Sequence, residues 1–518
     1  MNAGYRPHAL RSRAWTPRLR RTAWALPALL LLACLTRLPA MAHSQPIDDE
    51  GVFAVVANTI VDGGVPYRDA IERKPPLLFY SYAAVFSVFG RSNWLALHLT
   101  GTAWVFGTML GIALLATDLD SSDAGLFAAA AYALFLSIGG WRNLAFSGEM
   151  LMNLAVVWSW AVAFGRRRRR TPVRLFVSGA LAVVAALLKQ PAGIAALPLI
   201  AYLWASARIE TPTAGTDAGL RHVVWFTAGA LSVTAIVAGW LWHDGILREA
   251  IYWTIGDHDL PRFFWGRAAI FTLAFCAGAA PLLVWTVAAL ISPDLWRDSV
   301  MEKRALIGLL IVSAIGTAAG GRFYPHYFIQ MLPGLCILGG VGVSAALQGR
   351  LRVPHGYPTV RASGIVTVML AMAFAVSNTF FLRQHREPSA SAVYIRTHSA
   401  AAARVFVWGQ FAQEYLDAER RPASRYITTF PLTGYVFGGP IPGLDTSSRI
   451  LPGAWDTLMQ DLAVHPPEFI VDRERGPGAL NPMERFPRLA ALVAADYDAR
   501  FTTPVDVVYE RRAGRPLP

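Results

Sequence analysis

Long apolar segments separated by short polar ones follow one another from about residue 24 to residue 382. A helix needs about 20 predominantly apolar residues to cross the hydrocarbon core of a bilayer, and somewhat shorter runs suffice when polar flanks reach the surface. Eleven of these segments are therefore predicted to be membrane-spanning helices: 24–41, 94–116, 124–140, 150–164, 174–188, 192–207, 222–242, 268–291, 305–319, 327–347 and 364–382.

The apolar segment 76–89 is predicted instead to be a re-entrant or juxtamembrane helix. A helix of this length measures about 21 Å, whereas the hydrocarbon core is roughly 30 Å thick. The alternative is a short span. That alternative would invert the orientation of every later segment and place the arginine run 166–170 outside.

Arginines predict the orientation of these helices. The run 166–170 and the six arginines of residues 1–21 should be cytoplasmic, since Lys and Arg accumulate on the inner side of a membrane. The motif Ala40-Met41-Ala42 resembles a signal-peptidase site, so cleavage of the first segment is an alternative. Arg37 and the multi-spanning remainder favour a retained anchor, and in both cases the chain is outside from residue 43.

The last quarter of the chain differs from the rest. Apolar runs shorten, and strands predicted at 404–408, 468–472 and 505–509 alternate with short helices, which is typical of a small α/β domain. Three parts are thus predicted: a cytoplasmic tail (1–21), a transmembrane domain (22–384, with a first outer loop at 43–75) and an extracytoplasmic α/β domain (385–518).

Composition agrees with a multi-spanning membrane protein. The chain of 518 residues is 54% hydrophobic and only 16% charged, and its mean hydropathy is +0.38. A net charge of +13 does not indicate nucleic-acid binding, because the arginines lie between apolar segments. The three cysteines lie in apolar segments without metal-ligand spacing, so buried thiols are expected rather than a disulfide or a zinc site.

Polar residues from distant parts of the sequence are predicted to meet at the outer membrane face. Charges are costly to keep there unless they are solvated or functional. A carboxylate can take the proton of an attacking hydroxyl or amine, and cations can hold a departing phosphate. This combination suits transfer from an anionic lipid carrier. The residues are Asp48, Asp49, Glu50, Glu72, Arg73, Lys74, Glu149, Lys189, Asp257, His258, Asp259, Arg262, Arg322 and His326.

The acidic pair Asp49-Glu50, the stretch 63–69 and the run Lys74-Pro75-Pro76-Leu77 resemble the first outer loop of the GT-C glycosyltransferases. The most similar branch is family 39-like and groups protein O-mannosyltransferases with the lipid A aminoarabinose transferase. The resemblance covers about residues 20–382. Further stretches that fit are 147–149 at the start of a helix, 321–327 before a helix, and the outer C-terminal domain.

This resemblance implies a GT-C fold and an inverting enzyme of the bacterial inner membrane that uses a polyprenyl-phosphate sugar. The acceptor would be a glycan, a lipid or a protein. It implies that Asp49 is the catalytic base, that Lys74 contacts the donor phosphate, and that His326, with Arg322 nearby, faces the lipid phosphate. The substrate-binding residues expected around them are Asp48, Glu50, Glu149, His258 and Tyr327.

One position departs from the aminoarabinose branch. That branch has Glu directly before the lysine, whereas here Arg73 separates Glu72 from Lys74. The departure weakens both a metal site built from that Glu with His258 and the case for that particular sugar. No metal ligand is therefore assigned, and a divalent cation is left open.

Several of these residues have a simpler interpretation. Asp48 could be solvated or could cap the following helix, and Glu149 could be favoured by the helix dipole in a first turn. Lys189 is interpreted as a helix-end lysine that reaches towards the membrane surface. A loop such as 257–259 more often binds no metal than binds one.

The rival function is a transporter or flippase of a lipid-linked sugar, in which the same charges only bind the headgroup. Transporters are expected to place polar residues at mid-bilayer on interrupted helices. Here most charges lie at helix ends on one side, which favours surface chemistry. A non-catalytic scaffold would leave the clustered charges without a reason.

Overall fold

A computed structural model describes residues 16–165, 169–210, 215–256, 263–351, 356–384, 387–434, 445–475 and 479–512. Helices dominate the part before residue 385. They are α1 (Thr16–Met41), α2 (Glu50–Val61), α3 (Pro76–Phe89), α4 (Trp94–Leu119), α5 (Ser122–Ile138), α6 (Gly148–Ala163), α7 (Pro172–Leu188), α8 (Ala196–Glu210), α9 (Gly215–His243), α10 (Leu247–Ile251), α11 (Trp265–Gly278), α12 (Ala280–Ile291), α13 (Val300–Ala318), α14 (Leu332–Leu347) and α15 (Gly356–Gln384).

Five of the described helical segments are long and apolar enough to cross a membrane: Trp24–Met41, Trp94–Leu119, Asp217–His243, Pro325–Leu347 and Pro358–Gln384. A sixth arises if α11 and α12, which meet at an angle of 79°, form one broken span. Helices α5, α6 and α7 are apolar but have only 16 or 17 residues. The protein is thus a multi-spanning helical membrane protein, and the number of eleven spans stays a prediction.

Helix α3 has the bounds predicted from the sequence. It begins at Pro76, where a proline is tolerated because the first helical N–H has no partner within the helix. It ends at Gly90, whose φ of 97° is a conformation that glycine adopts without a Cβ clash. Its bounds agree with the prediction, but its depth in the membrane stays an expectation.

Close helix packing relies on small residues, as is common in membrane helices. At the contact of α7 with α9, a Cβ added at Gly179 would lie 1.8 Å from the carbonyl oxygen of Phe226. One added at Gly229 would lie equally close to that of Phe176. The two helices therefore approach each other backbone to backbone.

The C-terminal part contains a five-stranded mixed sheet in the order β2-β1-β3-β5-β4. Strand β1 pairs in parallel with β2 and β3, while β5 pairs antiparallel with β3 and β4. The elements are α16 (Ala390–His398), β1 (Arg404–Trp408), α17 (Gln413–Asp417), β2 (Arg421–Pro422), α18 (Phe430–Thr433), α19 (Ala454–Val464), β3 (Phe469–Asp472), α20 (Pro487–Asp496), β4 (Tyr497–Thr502) and β5 (Val507–Arg511).

The predicted strands of this part are present, the last one starting two residues later than expected. Strand β4 is absent from the sequence-based prediction, because only its first residue, Tyr497, is buried and no alternation of apolar residues marks it.

The sheet region packs directly on the first loop of the helical part. The amide of Ile71 donates to the carbonyl oxygen of Arg425 at 2.9 Å. The guanidinium of Arg73 lies 4.6 Å from the ring centroid of Phe430. The loop that contains the acidic pair and Lys74 is therefore held between the helices and the sheet.

Candidate active site in a charged cleft

A narrow cleft opens at one end of the helices. It forms where the α1–α2 connection, the start of α6 and the end of α7 meet two 3₁₀ helices, Trp141–Leu144 and Pro325–Met331. Acidic and basic side chains share its wall. The lining residues are Asp48, Asp49, Glu50, Phe53, Lys74, Arg142, Ala145, Ser147, Gly148, Glu149, Lys189 and His326.

Asp49 is the exposed acid of this cleft. It precedes α2 directly, at the N-cap position, but its side chain makes no capping hydrogen bond. Among the described residues it also forms no ion pair. Its carboxylate is therefore free to meet a molecule that enters the cleft.

Asp48 adopts a left-handed backbone conformation with φ of 56°, which is uncommon outside glycine but tolerated by Asp. Its Oδ1 lies 3.3 Å from Nε of Arg142. Burial, and then the neighbouring charge of Asp49, raise the pKa of Asp48 to about 7. Its carboxyl therefore keeps its proton to a higher pH than that of an ordinary Asp.

Glu50 faces the protein interior and has no exposed surface. Its two oxygens accept hydrogen bonds from the amides of Ile47 at 2.7 Å and Phe146 at 2.5 Å. Oε2 also lies 3.1 Å from Nε2 of His98 on α4. The carboxylate expected to bind substrate therefore ties the acidic loop to α4 and to the segment before α6.

Lys74 reaches the cleft from the other end of the first loop. Its Nζ lies 3.7 Å from Oε1 of Glu72 and 5.7 Å from the ring centroid of Phe53 on α2. The hydroxyl of Tyr67 donates to the carbonyl oxygen of Lys74 at 2.7 Å. Because its side chain is still 27% exposed, the ammonium can contact an anion in the cleft.

Glu149 is buried in the first turn of α6 and forms an ion pair with Lys189 at the end of α7. Nε2 of His326 lies 3.7 Å from Oε1 of Glu149, and its Nδ1 lies 4.0 Å from Oδ2 of Asp48. The imidazole thus stands between the two acids. The interpretation of Lys189 as a residue that reaches towards the membrane surface is wrong, because its side chain is 14% exposed and points into the cleft.

Arg142 is a cleft residue that sequence analysis missed. It belongs to the 3₁₀ helix Trp141–Leu144, and its guanidinium lies 5.7 Å from the ring centroid of Tyr324 as well as beside Asp48. A signal was available, because an arginine at the predicted outer end of a helix runs against the inward bias of positive charge. Arg37, buried in α1, supports the same 3₁₀ helix by donating from Nη2 to the carbonyl oxygen of Leu144 at 2.7 Å.

The structure does not bring every predicted residue into the cleft wall. Tyr327 stands behind it, with Nζ of Lys189 5.0 Å from its ring centroid. Arg322 is half-buried four residues before His326 and does not line the cleft. His258, with Asp257, Asp259 and Arg262, lies outside the described residues.

Within the described ranges, no group of three or more His, Cys, Asp or Glu residues is placed to hold a metal ion. All three cysteines are free. Cys336 is buried as expected, whereas Cys276 on α11 is exposed, since no residue of that helix is buried against the rest of the chain.

No family model and no curated protein sequence matches this chain. Solved structures do. ArnT from Cupriavidus metallidurans bound to undecaprenyl phosphate is 13% identical, with a TM-score of 0.59 over 95% of this chain and 98% of its own. The apo form of that ArnT gives 13% identity and a TM-score of 0.60 over the same shares. An Archaeoglobus fulgidus oligosaccharyltransferase in complex with Zn and sulfate gives 14% identity and a TM-score of 0.50, over 94% of this chain and 73% of its own.

At this level of identity the comparisons establish a shared fold over nearly the whole chain. This shared fold is the GT-C fold that the resemblance in the first loop implies, with the helical part first and the sheet-containing part after it.

Proposed function

We propose that this chain is a membrane glycosyltransferase. It moves a sugar from a polyprenyl-phosphate donor to an acceptor at the outer membrane face, with inversion. The observation that carries the proposal is the exposed carboxylate of Asp49 in one cleft with Lys74, Arg142 and His326. The undecaprenyl phosphate named for the ArnT structure supports a lipid-phosphate donor.

Asp49 would act as the general base. As the acceptor hydroxyl or amine attacks the anomeric carbon, its proton passes to the Asp49 carboxylate. The bond between that carbon and the phosphate oxygen breaks on the opposite face of the sugar, and its electron pair stays on the phosphate. Lys74, His326 and Arg142 stabilise the charge that develops there. Arg322 would contact the phosphate or the carrier from the edge of the cleft.

The membrane arrangement completes the proposal. Eleven spans, a cytoplasmic N-terminus and an extracytoplasmic sheet domain would place the cleft at the outer leaflet of the bacterial inner membrane. The carrier would then enter sideways from the bilayer. The sheet domain, which packs on the first loop through Arg425 and Phe430, would help to select the acceptor.

No step is assigned to a divalent cation. Two of the cleft carboxylates have cationic partners, since Arg142 engages Asp48 and Lys189 engages Glu149, whereas Asp49 is available. A divalent cation therefore stays open, and zinc is named for the oligosaccharyltransferase structure.

The test uses purified protein in lipid with a panel of polyprenyl-phosphate sugars and cell-envelope extract as a source of acceptors. Donor loss is followed by mass spectrometry for the wild type and for Asp49→Asn. We expect turnover to fall by about 10²- to 10⁴-fold while donor binding is kept, because only the proton acceptor is removed.

Asp294→Asn is the matched control, since this aspartate is 85% exposed at the opposite end of the helices. It should turn over at the wild-type rate. If Asp49→Asn turns over donor at the wild-type rate, Asp49 is not the base. If the lipid-linked sugar crosses the bilayer and no donor is consumed, the protein is a transporter and not an enzyme.

A further inference from the structure

Two arginines pair with one carboxylate, and a third lies beside one of them, where the helical part meets the edge of the sheet. Asp62, just after α2, forms ion pairs with Arg91 from the α3–α4 turn and with Nε of Arg421 in β2 at 2.8 Å. Arg404 in β1 is the register partner of Arg421. We call Asp62, Arg91, Arg404 and Arg421 the arginine cluster.

The arginine cluster carries three positive charges and one negative charge. Burial and then the charge of Arg421 lower the pKa of both Arg91 and Arg404, so each of these two guanidinium groups is close enough to Arg421 to be repelled by it. Arg91 and Arg421 remain 47% and 54% exposed. One carboxylate does not neutralise the cluster, and a further anion would relieve the repulsion.

The exposed residues beside Arg91 support a position of the cluster at the surface of the bilayer. Val88 and Phe89 at the end of α3 and Leu95 at the start of α4 are exposed by 72%, 59% and 54%. Apolar side chains this exposed on a membrane protein contact lipid tails, and an arginine directly above them lies at the level of the lipid phosphates.

The cluster is separate from the catalytic cleft. Asp62 follows Asp49 by 13 positions, and at 1.5 Å per residue α2 places the two about 20 Å apart. Both lie at the same end of the helices, because α4 begins beside Arg91 and α6 begins beside the cleft, and α4 and α6 both run away from that end.

We propose that the arginine cluster binds the phosphate of an anionic phospholipid in the leaflet on the cleft side. Arg91 and Arg421 each use part of their guanidinium group on Asp62. A guanidinium has five N–H donors in a planar arrangement, so the remaining ones can donate to phosphate oxygens, a geometry that Arg offers and Lys does not. Arg91 belongs to the helical part and Arg421 to the sheet, so one bound lipid would join the two regions. This proposal does not depend on the proposed enzyme activity.

The test is native mass spectrometry of the full chain in detergent, titrated separately with phosphatidylglycerol and phosphatidylcholine. The wild type should retain phosphatidylglycerol at least five times more than phosphatidylcholine. The double variant Arg91→Gln/Arg421→Gln should lose this preference. Arg500→Gln is the control, because Arg500 in β4 is equally exposed at 52% and pairs with acids of its own sheet.

Melting temperatures separate lipid binding from a merely structural ion pair. Phosphatidylglycerol should raise the Tm of the wild type and of Arg500→Gln but not that of the double variant. The proposal would be overturned if the Tm of the double variant fell below that of the wild type by the same amount in both lipids. It would also be overturned if the double variant kept the wild-type preference for phosphatidylglycerol. A third titration adds inorganic phosphate. If millimolar phosphate fully displaces phosphatidylglycerol, the site binds a soluble anion and not a lipid.

Discussion

The two ends of the helices both hold buried charges, but they use them differently. At the end away from the cleft, Glu302 at the start of α13 accepts a hydrogen bond from the hydroxyl of Tyr202 at 2.8 Å, and Arg170 donates to the same hydroxyl at 2.8 Å. Asp120 accepts from Ser344 at 2.8 Å and from Arg350 at 2.5 Å. These acids have fixed partners that fasten helix ends together.

At the cleft end, acids and cations face a common space instead. Asp49 has no cationic partner within the described part of the chain, and His326 stands between two acids at distances of 3.7 and 4.0 Å. The contrast teaches that a buried ion pair by itself does not mark a functional site in this protein. Charged groups turned towards a cavity are the candidates for such a site, because only these can exchange their interactions for a ligand.

Apart from Asp49→Asn, the substitution that should lower donor turnover most is Lys74→Met at the cleft end. Removing one donor that stabilises developing charge typically costs about 10²- to 10³-fold in rate. Single-turnover donor consumption should fall by that factor, whereas Arg350→Met at the opposite end should stay within about twofold of the wild type. Equal losses in both variants would mean that Lys74 acts on folding alone.

Glu50→Gln tests a buried acid that positions others. The amide cannot accept from both Ile47 and Phe146 as the carboxylate does, so the acidic loop should shift and turnover should fall roughly 10- to 100-fold. Glu302→Gln is the matched buried acid at the opposite end and should lower the Tm while turnover is kept. Wild-type kinetics for Glu50→Gln would show that the loop is held without this carboxylate.

The raised pKa of Asp48 predicts a pH dependence that is specific to the cleft. Between about pH 6 and 8 its carboxyl loses its proton and neutralises Arg142, so donor-phosphate affinity should fall as pH rises. Because the pKa of Asp48 is higher in the folded protein than in the unfolded chain, the protonated acid stabilises the fold. This contribution to the free energy of unfolding is complete below about pH 4 and is lost as the pH rises through about 7. Asp48→Asn should flatten this part of the binding profile, measured with the donor at each pH. An unchanged profile would assign the titration to another group.

The smallest effect is expected from Asp120→Asn at the opposite end. Its partner Arg350 is 40% exposed, so solvent screens the ion pair and its loss should cost about 0.2–1 kcal/mol. Thermal unfolding in lipid would measure this, with turnover unchanged. A loss as large as that of Glu302→Gln would show that both acids fasten the helices equally.

Much of the fold followed from the sequence because membrane segments are encoded locally. The bounds of α3 and the strands at Arg404–Trp408 and Phe469–Asp472 were predicted closely, since continuous apolar runs mark them. The number of spans does not follow in the same way. Hydropathy alone describes neither short helices such as α6 nor the bent pair α11–α12.

Sequence alone predicted that acids and cations from distant segments meet, and it singled out Asp49, Lys74, Glu149 and His326, all of which line the cleft. Only the tertiary structure decided which of them remain available. In the folded chain Glu50 is buried and accepts hydrogen bonds from backbone amides, Lys189 points into the cleft, and Arg142 lies beside Asp48. The physical reason is that sequence carries the type and side of a charge, whereas its hydrogen-bond partners come from segments that meet only when the helices pack.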